Sequence, residues 1–112
     1  MREKKMPKNT KRILKLIPVG KEKTVTGQEI ATITRMNLRT VQAIIRRLVI
    51  DYNICICGNR DYPGGYYIPA NDTERLEGVR ALHSQQQEEE KRITAIMNSS
   101  LNEHERYLKG GA

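Results

Sequence analysis

The segment LRTVQAIIRRLV, residues 38–49, places apolar side chains at Leu38, Val41, Ile45 and Leu48, at intervals of 3, 4 and 3. An α-helix brings such a series onto one face. Ile44 and Val49 widen the stripe, and Asn37 stands where an N-cap is wanted. At about 100° per residue the opposite face carries Arg39, Thr40, Ala43, Arg46 and Arg47. One short helix therefore couples a core-seeking stripe to three arginines. The period then drops to two: Ile50, Tyr52, Ile54 and Ile56 alternate with Asp51, Asn53, Cys55 and Cys57, which predicts a half-buried strand over 50–57. A helix that hands over directly to a strand points to a mixed α+β fold.

The stretch GNRDYPGGYYIP, residues 58–69, follows. It is rich in glycine, yet it does not read as a phosphate cradle, because Gly64 and Gly65 precede a strand instead of a helix and no Lys-Ser or Lys-Thr follows. Pro63 sets one turn position, the glycines permit positive φ, and YYIP returns as a strand that Pro69 ends, so a hairpin is expected. Upstream, NTKRILKLIP offers a cap at about Asn9 and a first helix that Pro18 and Gly20 stop. Thr24 and Val25 suit a very short strand. Thr26, with Glu29 three residues later, has the spacing of a capping box for a second helix over about 27–33. Downstream, Asn71 and Glu74 repeat that spacing before a long C-terminal helix, expected to break near Asn98. Leu76, Val79 and Leu82 form one apolar patch, expected to pack on the preceding domain, and Ile93, Ile96, Met97 and Leu101 form a second. The polar run HSQQQEEEKR between them argues against a continuous coiled coil.

The chain of 112 residues suffices for one small core. The expected organisation is a flexible basic arm over 1–8, a compact domain over 9–70 and a helical extension over 71–112. The net charge of +7 is unevenly spread. Residues 1–50 hold 13 Lys or Arg against 3 acidic residues, a balance of +10, and residues 51–112 hold 7 against 10, a balance of −3. A basic half attracts polyanions through long-range attraction and counterion release. With 38% apolar residues, no Trp and no Phe, an enclosed substrate pocket is not expected, and His83 and His104 have no nucleophile in a recognisable arrangement. The expectation is a protein that is not an enzyme and needs no cofactor. Cys55 and Cys57 alternate onto one face of an extended segment, poor geometry for a mutual disulfide, and the distant histidines do not complete a metal site, so reduced spectator thiols are expected. No run approaches the roughly 20 apolar residues of a membrane span, and the N-terminal sequence has no apolar signal core, which leads to a cytoplasmic expectation.

The run ILKLIPVGKEKTVTGQEIATITRMNLRTVQAIIRRL, followed by GGYYIP, resembles the small winged helix-turn-helix proteins found in phages and prophages of Gram-positive bacteria; at fold level the biotin-repressor type of winged domain is similar. The resemblance covers about residues 10–70, with Ile30 where the pattern has Leu and Gln42 where many relatives carry Arg. It implies three helices and a β-hairpin wing, double-stranded DNA as partner, and transcription regulation as the role. In such a domain the third helix enters the major groove. Asn37, Arg39, Thr40 and Ala43 then face base edges, with Arg39 the leading base reader because its fork matches guanine O6 and N7. Arg46 and Arg47 face phosphates. Gln28, with Thr26 and Gly27, sits at a helix N-terminus that favours a phosphate, capping alone being the equal alternative. Arg60, and Tyr62 beside it, would place the wing on the sugar-phosphate backbone. Lys4, Lys5, Lys8, Lys11 and Arg12 are further candidates for backbone contact. The other readings are a solvated arginine face, or arginines paired with Asp51 and Glu29. A homodimer through the C-terminal helix fits a palindromic site. A different class of function also stays open: a phage replication or host-takeover adaptor that binds a protein through the same domain and tail.

Overall fold

The computed structural model describes residues 5–59 and 64–108. Its elements run α1 (Lys8–Leu16), α2 (Gly27–Thr34), α3 (Leu38–Ile50), β1 (Cys57–Asn59), β2 (Gly65–Tyr67), α4 (Asp72–Asn98) and α5 (His104–Leu108). The fold is α+β: helices, a two-stranded antiparallel hairpin and a long C-terminal helix. The chain forms two compact units, Met1–Leu82 and His83–Ala112.

In the first unit, α1, α2 and α3 enclose the core. Ile13, Ile17, Ile30, Ala31, Val41, Ile44, Ile45 and Leu48 are buried together, and Tyr67 joins the buried set from β2. Local chemistry sets the helix ends. α1 begins at Lys8 after Pro7, whose carbonyl accepts from Lys11 N–H; Asn9 lies inside the first turn and does not cap it. At α2 the capping box forms in both directions, with Glu29 N–H donating to Thr26 Oγ1 and Thr26 N–H donating to Glu29 Oε1, each at 3.0 Å. Arg35 ends α2 in the left-handed region at φ 58°, so the chain turns sharply into α3. Asn37 caps α3 as its position suggested, accepting from Thr40 N–H at 2.7 Å. Of the stripe read from the sequence, Val41, Ile44, Ile45 and Leu48 are buried, whereas Leu38 and Val49 lie at its exposed edges.

The strand expected over 50–57 is the clearest departure. Ile50 belongs to α3, and the strand is confined to Cys57–Asn59. At the helix end Asp51 and Tyr52 both donate to the Arg47 carbonyl, Ile54 donates to the Leu48 carbonyl, and Asn53 adopts φ 56°. These bonds wrap the chain back on the helix and leave no extended edge for a partner. The alternation itself is still visible, since Tyr52, Ile54 and Ile56 are half-buried against the core while Asp51, Asn53 and Cys55 are exposed. Period two here records alternate burial of an irregular segment.

β1 and β2 pair with Cys57 opposite Tyr67, Gly58 opposite Tyr66 and Asn59 opposite Gly65. Gly64 and Gly65 have φ of 75° and 123°, the positive φ anticipated for this turn. The very short strand at Thr24 and Val25 is a single antiparallel bridge: Val25 and Tyr66 exchange both backbone bonds, at 3.1 and 2.7 Å. A Cβ at Gly65 would lie 2.9 Å from the Val25 carbonyl, so this close approach requires glycine. Beyond β2, Ile68 N–H donates to the Pro18 carbonyl and Gly20 N–H donates to the Ile68 carbonyl.

The start of α4 docks on this hairpin, but not through the apolar patch expected to do so. Leu76, Val79 and Leu82 are 58%, 57% and 68% exposed. The inward face is formed by Glu74, Glu77, Gly78 and Ala81. Gly78 is buried against Cys57, where any side chain would collide. Glu74 accepts from Ala70 N–H at 2.8 Å and from Lys21 N–H at 3.2 Å, and Glu77 pairs with Lys21 Nζ at 2.5 Å. Asn71 caps the helix through Glu74 N–H at 2.9 Å. A glycine that admits the strand, together with two carboxylates that satisfy loop amides, decides the docking face. In the second unit the remainder of α4 continues to Asn98, where the break was expected, and its Ile93, Ile96 and Met97, with Leu101 beyond, are exposed. No helix among the described residues is long and apolar enough to cross a membrane.

Candidate nucleic-acid interface

α3 presents its outward face because its inward one is fully engaged. Val41 and Leu48 are 0% exposed, and Ile44 and Ile45 sit beside them. The helical repeat then turns Arg39, Thr40, Ala43, Arg46 and Arg47 outward, and all five are exposed. Three guanidinium groups therefore share one face with two small side chains, so a flat polyanionic surface can approach the helix closely. Each guanidinium offers five N–H donors in a planar fork suited to phosphate or to a base edge. Ala43, Arg46, Arg47, Ile50 and Asp51 line a shallow recess of about 390 Å³ at the C-terminal half of this face.

The alternative in which these arginines are neutralised within the chain finds no contact. Among the described residues no carboxylate forms an ion pair with Arg39, Arg46 or Arg47. Asp51 lines the same recess without pairing, and the Glu29 carboxylate is occupied by Thr26 N–H. The ion pairs lie elsewhere: Lys21–Glu77, Arg75–Asp72, Lys91–Glu88 and Arg106–Glu103.

The other expected contacts fare differently. Asn37 is exposed but commits its side-chain oxygen to the cap, leaving only its amide N–H groups as donors to a partner. Gln28 is exposed in the first turn of α2. The capping box already takes two donors there and sets the Glu29 carboxylate at the same helix end, where it repels a phosphate. Arg60 and Tyr62 lie outside the described residues. Met6 packs against the core, and the Lys5 carbonyl accepts from Tyr52 Oη at 3.4 Å.

Arg35 and Lys15 add to the cations expected from the sequence, Lys15 extending the set of Lys8, Lys11 and Arg12. Arg35 is exposed at the turn between α2 and α3. Lys8, Lys11, Arg12 and Lys15 are all exposed on α1, and their spacing of i, i+3, i+4 and i+7 was already a signal of one face.

The two cysteines are free thiols. Burial, followed by the neighbouring Cys55, pushes the Cys57 thiol above its usual range, so it stays protonated and weakly nucleophilic. Burial also raises the Tyr66 and Tyr67 hydroxyls. Among the described residues no group of three or more His, Cys, Asp or Glu side chains comes together in a way that could hold a metal ion. No protein-family model, no curated protein and no solved structure matches the chain.

Proposed function

We propose that this chain is a double-stranded DNA-binding protein of the winged helix-turn-helix kind, acting as a transcription regulator of phage or prophage type. The observation that carries the reading is the outward face of α3, where Arg39, Arg46 and Arg47 are exposed together, unpaired with any described carboxylate, directly opposite a fully buried stripe. A helix of 13 residues is about 20 Å long and fits the major groove, which is about 12 Å wide. In this reading Arg39 and Thr40, near the N-terminus of α3, read base edges. Arg46 and Arg47 hold phosphates, the β1–β2 connection carrying Arg60 lies along the backbone, and α2 supports α3 from behind.

Titration of random-sequence duplex at several salt concentrations tests the class of function. Each phosphate contact contributes about 0.9 to the slope of log affinity against log salt, so the Arg46 and Arg47 contacts alone give a slope of about −1.8 or steeper. Weak binding with no salt dependence removes the DNA reading. Within that class, Arg39→Ala should cost about 1–3 kcal/mol on the preferred sequence only, whereas Arg47→Ala should weaken all duplexes and lower the slope by about 1. Equal losses on every duplex would contradict this division of roles.

One observation favours a second reading, in which α4 pairs with another copy or holds a protein partner. Leu76, Val79 and Leu82, and separately Ile93, Ile96 and Met97, are more than half exposed on a helix of 27 residues. In this alternative the chain is an adaptor in replication or host takeover. Light scattering of the full chain against a chain ending at residue 83 measures the pairing, and an unchanged oligomeric state removes it.

A further inference from the structure

α1 carries a second cationic face that the contact through α3 does not use. Lys8, Lys11, Arg12 and Lys15 are exposed, the helix KNTKRILKL contains no acidic residue, and no described carboxylate pairs with any of the four. Arg12 is held in place, its guanidinium donating to the Ile33 carbonyl at 3.3 Å. From Lys8 to Lys15 the stripe is about 10 Å long. Phosphates on one strand of duplex recur about every 3.4 Å along the axis, so the stripe matches about three of them.

The direction of this face is what matters. α1 packs on α3 and on α2, burying Thr10 and Ile13, and its C-cap Ile17 is buried on the same side. At about 100° per residue the four cations are centred roughly 180° from those three around the α1 axis. On α3 the arginines lie likewise opposite Val41, Ile44, Ile45 and Leu48, the side that meets the core. Each helix thus turns its cations away from the core that both share with α2, so the two cationic faces are separate. Contact through Arg39, Arg46 and Arg47 therefore leaves the α1 stripe unused. A lipid surface suits α1 less well, because Ile13 and Ile17 are buried, Leu14 and Leu16 are partly buried against the core, and no apolar face remains to insert.

Resting on the DNA reading of α3, we propose that the α1 stripe of Lys8, Lys11, Arg12 and Lys15 grips the phosphate backbone of a second duplex segment, so that one copy of the chain bridges two stretches of DNA without regard to the sequence of the second.

The test uses the full chain, one duplex immobilised on beads and a second, unrelated duplex carrying a fluorophore. The wild type should retain the labelled duplex in a salt-sensitive way. The triple variant Lys8→Gln, Lys11→Gln, Lys15→Gln keeps Arg12 for its bond to α2 and keeps helix-forming side chains, so its thermal melt should stay within a few degrees of wild type. It should bind a single duplex within about twofold of wild type, yet retain the labelled duplex about tenfold less or worse, since three phosphate contacts are lost. Arg46→Gln with Arg47→Gln should instead weaken single-duplex binding. If the wild type binds no duplex, both readings fall; if it binds one but never holds a second, only the bridging falls. Undiminished retention by the triple variant would mean that two paired copies do the bridging, and loss of its single-duplex binding would place α1 on the same contact as α3. Either result overturns the proposal. So does binding to phosphatidylglycerol vesicles in the absence of any duplex bridging.

Discussion

Replacing Gly78 with alanine separates two opposed effects of known size. In an exposed helix interior Gly→Ala stabilises by about 1 kcal/mol, because alanine has the better helix propensity. At Gly78 the added Cβ would lie 2.7 Å from Cys57 Cβ and closer still to Cys57 Sγ, and 3.4 Å from Tyr67 Oη. Overpacking of this kind costs about 1–3 kcal/mol. Neither contact can be relieved by a flexible side-chain end, because Cys57 is short and its backbone is paired in β1. Moving α4 outward would instead stretch the Glu74 bonds to Lys21 and Ala70. The net expectation is a loss of about 1 kcal/mol in urea unfolding, or a melting point lower by roughly 4–8 °C. The same substitution in a Cys57→Ala background, where the sulfur is gone, should cost less, giving a favourable coupling in the double-mutant cycle. If Gly78→Ala raises stability by the full helix-propensity amount, or acts identically in both backgrounds, α4 does not rest on β1 as described.

The clamp and the caps give further expectations. Glu74→Ala strands the Lys21 and Ala70 amides, so stability should fall by about 1–3 kcal/mol and limited proteolysis should cut more readily around residue 70; unchanged cleavage would argue that the carboxylate holds nothing. Thr26→Ala removes one half of a reciprocal capping box at α2, and a loss of about 1 kcal/mol is expected in the same unfolding assay. The Cys57, Tyr66 and Tyr67 groups all bind their protons more tightly in the folded chain than in the unfolded one. Their contribution to stability is therefore complete below the unfolded cysteine value of about 8.5 and is lost as pH rises through the raised folded values. Unfolding curves between pH 8 and 11 should show falling stability, less steeply in Cys57→Ala, and a flat profile would show that burial does not hold these groups protonated.

Much of the first unit was legible because the signals are local. The 3-4-3 spacing of Leu38, Val41, Ile45 and Leu48 and the caps at Thr26 and Asn37 each report contacts within a few residues, and the structure realises them with small shifts at the edges. The exposed face bearing Arg39, Thr40, Ala43, Arg46 and Arg47 follows from the same geometry, since burying one side of a helix leaves the other outside. The segment from Ile50 to Ile56 misled because alternate burial and strand pairing leave the same period in a sequence. Only the bonds from Asp51, Tyr52 and Ile54 back to α3 distinguish them.

By itself, then, the sequence determined the main helices, the caps at Thr26, Asn37 and Asn71, the turn glycines and the side of α3 on which its arginines stand, because periodicity and capping act over three or four residues. The tertiary structure alone decided which face of α4 turns inward and that α1 and α3 bury their apolar sides in one shared core. Those outcomes rest on Gly78 meeting Cys57, on Glu74 reaching Lys21 across 53 positions, and on α1 packing against α3. Contacts between residues so far apart leave no period to read. An apolar patch such as Leu76, Val79 and Leu82 looks like the docking face until a glycine offers the strand a closer approach.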